Sequence, residues 1–123
     1  MSIQVAIFED DKDLAEILQE RMQLRKFEVA SYFNLKDSAW LKSDIVLGDF
    51  RNKMVSFETL SNECRKNGIP IIAISGAETG FQPQLLKPFT IEELEAVILK
   101  EMMNAPKREK KSEGGFSLFK IFK

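Results

Sequence analysis

The sequence predicts an α/β fold, a doubly wound five-stranded parallel sheet. Three observations predict it. Ile3 to Phe8, Ile45 to Leu47 and Ile69 to Ile74 are short, continuous apolar runs, the pattern of strands buried on both faces of a parallel sheet. Helical patterns alternate with these runs. Polar residues stand where the runs stop: Glu9-Asp10, Asp49, Ser75, then Lys87-Pro88. That placement describes one site at the carboxyl ends of four strands, where open parallel sheets bind ligands.

Element by element, the first strand is followed by Leu14, Ile17, Leu18 and Met22 at helical spacing, an amphipathic helix over about 12 to 25 opened by Asp11 or Asp13. Glu28 to Phe33 reads as the second strand. Leu35 to Leu41 reads as a short helix carrying Trp40, and Asp44 to Asp49 as the third strand. Ser56 can cap the next helix, which Gly68 and Pro70 close before the fourth strand. Thr90-Ile-Glu-Glu93 is a capping box, followed by Leu94, Val97, Ile98 and Met102 at helical intervals. Five strands with intervening crossovers imply right-handed connections and the flavodoxin-like order 2-1-3-4-5.

The crossing from the fourth strand to the fifth is too short for a helix. Eleven residues separate Ser75 from Lys87, and the fifth strand takes Gln84 to Leu86, which leaves Gly76 to Pro83. The chain must return about 16 Å to begin a parallel neighbour of five residues, and six helical residues rise only about 9 Å. Gly80 and Pro83 also disfavour helix. The helix between strands 4 and 5 is therefore expected to be missing or reduced to a turn. Its loss is expected to uncover one flank of the sheet near Ile72, Ile74 and Leu85, an apolar patch suited to a partner or a second copy.

At 123 residues the chain has room for one domain that buries roughly two-thirds of its surface without staples. The single Cys64 reads as a reduced, partly buried thiol, which suits a reducing compartment, and cytoplasm is the expectation. No run approaches the ~18 apolar residues of a membrane span, and no basic segment followed by an apolar core opens the chain. There is no histidine. The usual general base and the usual zinc ligand are thus absent, so chemistry must run through carboxylates, hydroxyls and lysine.

Charge divides the chain into a body, 1–104, and a tail, 105–123. Residues 107–123 hold six Lys/Arg and two Glu, a net +4, so of the total of −1 the first 106 residues carry −5. An acidic body argues against nucleic-acid binding, which needs a basic stripe. Asn104 to Gly115, with Pro106, a charged run and Gly114-Gly115, has the composition of a flexible linker. Phe116 to Lys123 then places five large apolar residues among eight. On a helical wheel Leu118, Phe119, Ile121 and Phe122 share one broad arc, opposite Ser117, Lys120 and Lys123. Such a basic amphipathic end suits a partner groove, an anionic membrane surface or the flank left by the missing helix.

The carboxylates carry the chemistry. In this strand order Glu9 and Asp10 end the first strand beside Asp49, which ends the third, so three acids converge and repel. A hard divalent cation resolves this, because Mg²⁺ takes oxygen ligands and is commonly held by one or two carboxylates plus a phosphate oxygen. A carboxylate can also attack phosphorus to give an acyl phosphate, provided cations neutralise the oxygens of the transferring group. Lys87 and Mg²⁺ supply that charge, and Ser75 can donate a hydrogen bond to a phosphoryl oxygen.

The set Val5-Ala-Ile-Phe-Glu9-Asp10-Asp11, Asp44-Ile-Val-Leu-Gly-Asp49, Ile71-Ile-Ala-Ile-Ser75-Gly-Ala and Leu86-Lys87-Pro88-Phe89 resembles the receiver domain of two-component response regulators, over residues 2 to about 104. The resemblance implies that Asp49 accepts a phosphoryl group from the phosphohistidine of a histidine kinase or phosphotransfer protein. It implies that Asp10, Asp49 and the Arg51 backbone carbonyl ligate Mg²⁺, with Glu9 acting through metal-bound water, and that Ser75 and Lys87 read the phosphorylated state. A cis Lys87-Pro88 peptide is implied too. Such a chain is no enzyme towards a separate substrate and catalyses at most its own phosphorylation and dephosphorylation. Too few residues follow the body for an effector domain, so a single-domain regulator signalling through protein contacts, by its sheet flank and its tail, is the expectation.

Three positions depart from the family pattern. The proline usual four residues beyond the phosphoacceptor is Lys53, the aromatic usual three residues before the lysine is Gln84, and Arg51 puts a bulky cation two residues past Asp49. The missing switch aromatic and the shortened crossover leave a second reading open, a degenerate receiver that acts as a phosphorylation-independent interaction or localisation scaffold.

Overall fold

A computed structural model of the chain describes residues 2–104. The expected linker and docking peptide, 105–123, lie outside the described residues. The elements run β1 (Gln4–Phe8), α1 (Lys12–Gln23), β2 (Glu28–Tyr32), a 3-10 helix (Ser38–Lys42), β3 (Ile45–Asp49), α2 (Phe57–Lys66), β4 (Ile71–Ser75), β5 (Gln84–Leu86) and α3 (Ile91–Asn104). The strands form one parallel sheet in the order β2-β1-β3-β4-β5, as the sequence predicts.

Local chemistry starts each helix. Asp11 caps α1 by accepting from the Asp13 and Leu14 amides at 3.1 and 3.2 Å, and Ser56 caps α2 by accepting from Thr59 N–H. At α3 the capping box closes in both directions: the Thr90 amide donates to Glu93 Oε1 at 2.8 Å, and the Glu93 amide donates to Thr90 Oγ1 at 3.0 Å. Gly68 ends the α2 segment at φ +69°, a left-handed conformation that costs glycine least.

The sheet separates two cores. On one face Val5, Ile7, Ile45, Leu47, Ile72 and Ile74 pack against Leu18 and Met22 of α1 and Leu94 and Ile98 of α3. On the other, Ala6, Phe8, Val46, Ile71 and Ala73 pack against Trp40 and against Phe57, Leu60 and Cys64 of α2. Gly48 permits α2 to approach, since a Cβ there would stand 3.0 Å from Leu60 Cδ2 and 3.2 Å from the Phe57 ring. Cys64 is fully buried, and burial pushes its thiol up to about 12.

Two expectations need correction. The short helix over Leu35 to Leu41 is instead the 3-10 helix Ser38–Lys42, because Asp37 caps it by accepting from the Ala39 amide at 2.9 Å and leaves only five residues before Ser43. Its Trp40 still serves the core, 2 % exposed and edge-on to Phe8 with centroids 5.5 Å apart. The crossing from β4 to β5 does lack a helix. The uncovered patch, however, is not at Ile72, Ile74 and Leu85: Ile72 and Ile74 are 0 % and 1 % exposed beneath the α1 and α3 face, and Leu85 packs against the same core. Side chains alternate along a strand, so the face that loses the helix is that of Ile71 and Ala73. Phe81, from the crossing itself, joins the cluster there and stands edge-on to Phe57 at 4.9 Å. The Lys87-Pro88 peptide is cis as expected, and Gln82-Pro83 is cis as well.

Truncating a fully packed aromatic leaves a cavity as well as losing transfer energy. Trp40→Ala is expected to lower the unfolding free energy by about 3–5 kcal/mol, measured by urea denaturation. A loss below about 1 kcal/mol, the range of surface substitutions, would contradict this packing.

Candidate functional site

The site forms where β1, β3, β4 and β5 end side by side. Glu9 and Asp10 follow β1, Asp49 and Ser75 are the last residues of β3 and β4, and Lys87 follows β5. Glu9, Asp49 and Ser75 are buried, at 2 %, 8 % and 3 % exposure, while Asp10 is half-buried. Glu9, Asp10 and Asp49 each bring a carboxylate oxygen to within 4.8 Å of the others. Lys87 crosses from β5 and donates from Nζ to Glu9 Oε1 at 3.3 Å and to Asp49 Oδ1 at 3.4 Å.

Lys87 pairs with two of the three acids, Glu9 and Asp49, and the surroundings of each group bias its ionisation. Burial raises the Glu9 carboxyl above its usual range, opposed by the Asp11 amide that donates to Oε2 at 3.1 Å and reinforced by neighbouring Asp49. Asp10 is lowered, chiefly because the Lys53 amide donates to Oδ2 at 2.9 Å. Burial disfavours the charged Lys87, but the attraction of Glu9 and Asp49 outweighs it and the net shift is upward. Lys87 therefore remains a cation throughout the physiological range. Ser75 Oγ accepts from the Ala77 amide at 3.1 Å, which leaves its own hydrogen able to donate. Arg51 lies in the exposed turn after Asp49, whose carbonyl accepts from the Asn52 amide at 3.2 Å.

The donor set suits a hard divalent cation: oxygens only, excess negative charge, and one carboxylate half-open to solvent. Glu9, Asp10 and Asp49 are the residues that could hold it. Sequence reasoning missed the part played by Lys53. A proline at that position would have no N–H, and its absence is the signal that an amide was available for Asp10. Gln84 is also more than an absent aromatic. Its Oε1 accepts from the Thr79 amide and hydroxyl at 3.0 and 2.8 Å, and its Nε2 donates to Glu78 at 2.7 Å, so it ties down the crossing that replaces the helix.

Neither a protein-family model nor a curated protein matches the chain. Solved structures do match its fold. The receiver domain of Francisella response regulator 1452 superposes with a TM-score of 0.70 at 20 % identity, covering 83 % of this chain and 98 % of that one. A CheY-like response regulator receiver domain protein from Methanospirillum hungatei JF-1 gives 0.72 at 15 % identity, over 84 % and 95 % of the two chains. The receiver domain of a sensor histidine kinase from Pseudomonas aeruginosa PAO1, with magnesium coordinated in its active-site cleft, gives 0.70 at 16 % identity, over 85 % and 100 %. The chain thus has the fold of response-regulator receiver domains, with the helix between strands 4 and 5 reduced to a connection.

The raised Glu9 carboxyl has a consequence for stability. Above the usual glutamate value of about 4.3, the unfolded chain releases this proton before the folded one does. In metal-free buffer stability therefore falls as pH rises through the interval up to the folded value. The lowered Asp10 acts in the opposite sense: its contribution is present above the usual aspartate value and is lost on acidification through its depressed one. Glu9→Gln is expected to abolish the fall on the alkaline side of 4.3 and to leave the metal-free protein more stable at neutral pH, read from thermal melts across a pH series. A profile that Glu9→Gln leaves unchanged would contradict this placement of the charge.

Proposed function

We propose that this chain is a two-component receiver in which Asp49 accepts a phosphoryl group from the phosphohistidine of a histidine kinase or phosphotransfer protein. The observation that carries this reading is three carboxylates within 4.8 Å of one another, two of them paired with Lys87, at the carboxyl ends of a sheet of order 2-1-3-4-5. The reading includes Mg²⁺ held by Asp10, Asp49 and the Arg51 carbonyl, with Glu9 behind them. When bound, the cation would neutralise oxygens of the transferring phosphoryl group.

Lys87 engages Asp49 Oδ1, which leaves Oδ2 to attack. As the Oδ2–P bond forms, the P–N bond of the phosphoimidazole breaks and its electron pair returns to the ring. Asp49 becomes an acyl phosphate and loses its own charge, so Lys87 is released from that oxygen and can pair with a phosphoryl oxygen. Ser75 donates its hydroxyl hydrogen to another. A protein donor has somewhere to press while it does this. Beside Lys87 an apolar cleft of about 270 Å³ is lined by Leu14, Ile17, Leu18, Pro88 and Ile91, and Ile17 is 47 % exposed. Among the described residues no helix is long and apolar enough to cross a membrane, and a buried, reduced Cys64 fits the cytoplasmic setting of such a relay.

One observation favours the scaffold alternative. The position of the usual switch aromatic is Gln84, tied to Thr79 and Glu78, so a phosphoryl group at Asp49 has no aromatic side chain at that position to move. Intact mass after incubation with acetyl phosphate separates the two readings. Wild type is expected to gain one phosphoryl group with Mg²⁺ and none with EDTA, and Asp49→Asn to gain none in either. No adduct on wild type, while a control receiver is modified, would favour the scaffold.

A further inference from the structure

The missing helix leaves a groove of about 560 Å³ between α2 and the β4–β5 crossing. Its floor is aromatic and continuous: Phe50 meets Phe57 at 5.1 Å, and Phe57 meets Phe81 at 4.9 Å. Glu58 and Arg65 stand at its two ends along α2, and Arg65 donates to Asn62 Oδ1 at 3.2 Å. In a doubly wound sheet the crossover helices run antiparallel to the strands, so α2 and α3 both finish at the amino end of the sheet, on opposite faces.

We propose that the C-terminal segment Phe116 to Phe122 of this same chain docks in that groove and takes the place of the missing helix. Three features select it over other occupants. Its five large apolar residues include Phe116, Phe119 and Phe122, and aromatic rings gain from edge-to-face contact with the aromatic floor. Its net +4 region is attracted to a body that carries −5, with Glu58 available to Lys120 or Lys123. Its reach is sufficient: the eleven residues between Asn104 and Phe116 extend up to about 36–40 Å, and a domain of this size has a radius of gyration of about 13 Å. Tethering also gives the segment an effective concentration of order millimolar, so even a weak groove is filled in cis before a free partner of similar affinity. Phe50 follows Asp49 directly, which places one wall of the groove against the proposed phosphoacceptor. The docking itself does not depend on phosphorylation.

The test uses the full chain with a nitroxide on Ser117→Cys. Cys64 is fully buried and its thiol weakly acidic, so the reagent takes the introduced thiol alone. Amide signals of Glu58, Asn62, Thr79 and Gly80 are expected to lose most of their intensity, and that of Leu24, on the other face of the sheet, to keep its own. Adding Phe119→Ser and Phe122→Ser is expected to restore the lost signals while leaving the remaining spectrum unchanged. Absence of selective broadening would overturn the proposal. So would the same broadening in a mixture of spin-labelled, isotopically silent chains with unlabelled observed chains, because it would assign the groove to a second copy.

Discussion

The mutual repulsion of three carboxylates governs this molecule. Glu9, Asp10 and Asp49 are held within 4.8 Å of one another because β1 and β3 are parallel neighbours and end together. No fold gains stability from such a cluster alone. Burial raises Glu9, and the Asp11 and Lys53 amides and the Lys87 ammonium each offset part of the cost. Lys87 reaches the cluster only because β5, the edge strand beside β4, delivers it to the same end of the sheet. The parallel pairings of β1 with β3, β3 with β4 and β4 with β5 keep those strand ends in register. Residual negative charge is what suits these strand ends to a hard divalent cation.

Much of this was legible in the sequence because buried parallel strands are continuous apolar runs, so a polar residue that ends one is conspicuous. Glu9, Asp49, Ser75 and Lys87 all announced themselves in that way. The Thr90–Glu93 cap was legible because its chemistry is local, and the absent helix followed from chain length, with Gly80 and Pro83 also against it. Orientation was not legible. Whether Ile71 or Ile72 faces the vacated side depends on the placement of β4 against two layers of helices, and an apolar run without alternation carries no sign of it. Backbone donors were hidden as well. The Lys53 amide that holds Asp10 has no side-chain signature, and Phe81 could not be seen as the stand-in for a helix until the crossing had been traced.

The two crossovers without an α-helix show how little is needed to close the fold. After β2, a five-residue 3-10 helix suffices because Trp40 alone fills the space against Phe8. After β4, Phe81 and the hydrogen bonds of Gln84 do the same. The second solution leaves more of its face unfilled than the first, since Phe81 is only half-buried where Trp40 is fully so. Economy at this crossing thus exposes an aromatic surface next to the site, where most proteins of this fold class would place a helix.

The central claim is that Asp49 is the atom-bearing acceptor of the site, and the most direct measurement is chemical mapping of the acyl phosphate. Protein treated with acetyl phosphate and Mg²⁺ is reduced with borohydride, which converts an aspartyl phosphate to homoserine, and its peptides are then sequenced by mass spectrometry. Homoserine at position 49 and nowhere else is the predicted result. Homoserine at Asp10 or at another acid, or none anywhere in a protein that melts cooperatively, would contradict the account.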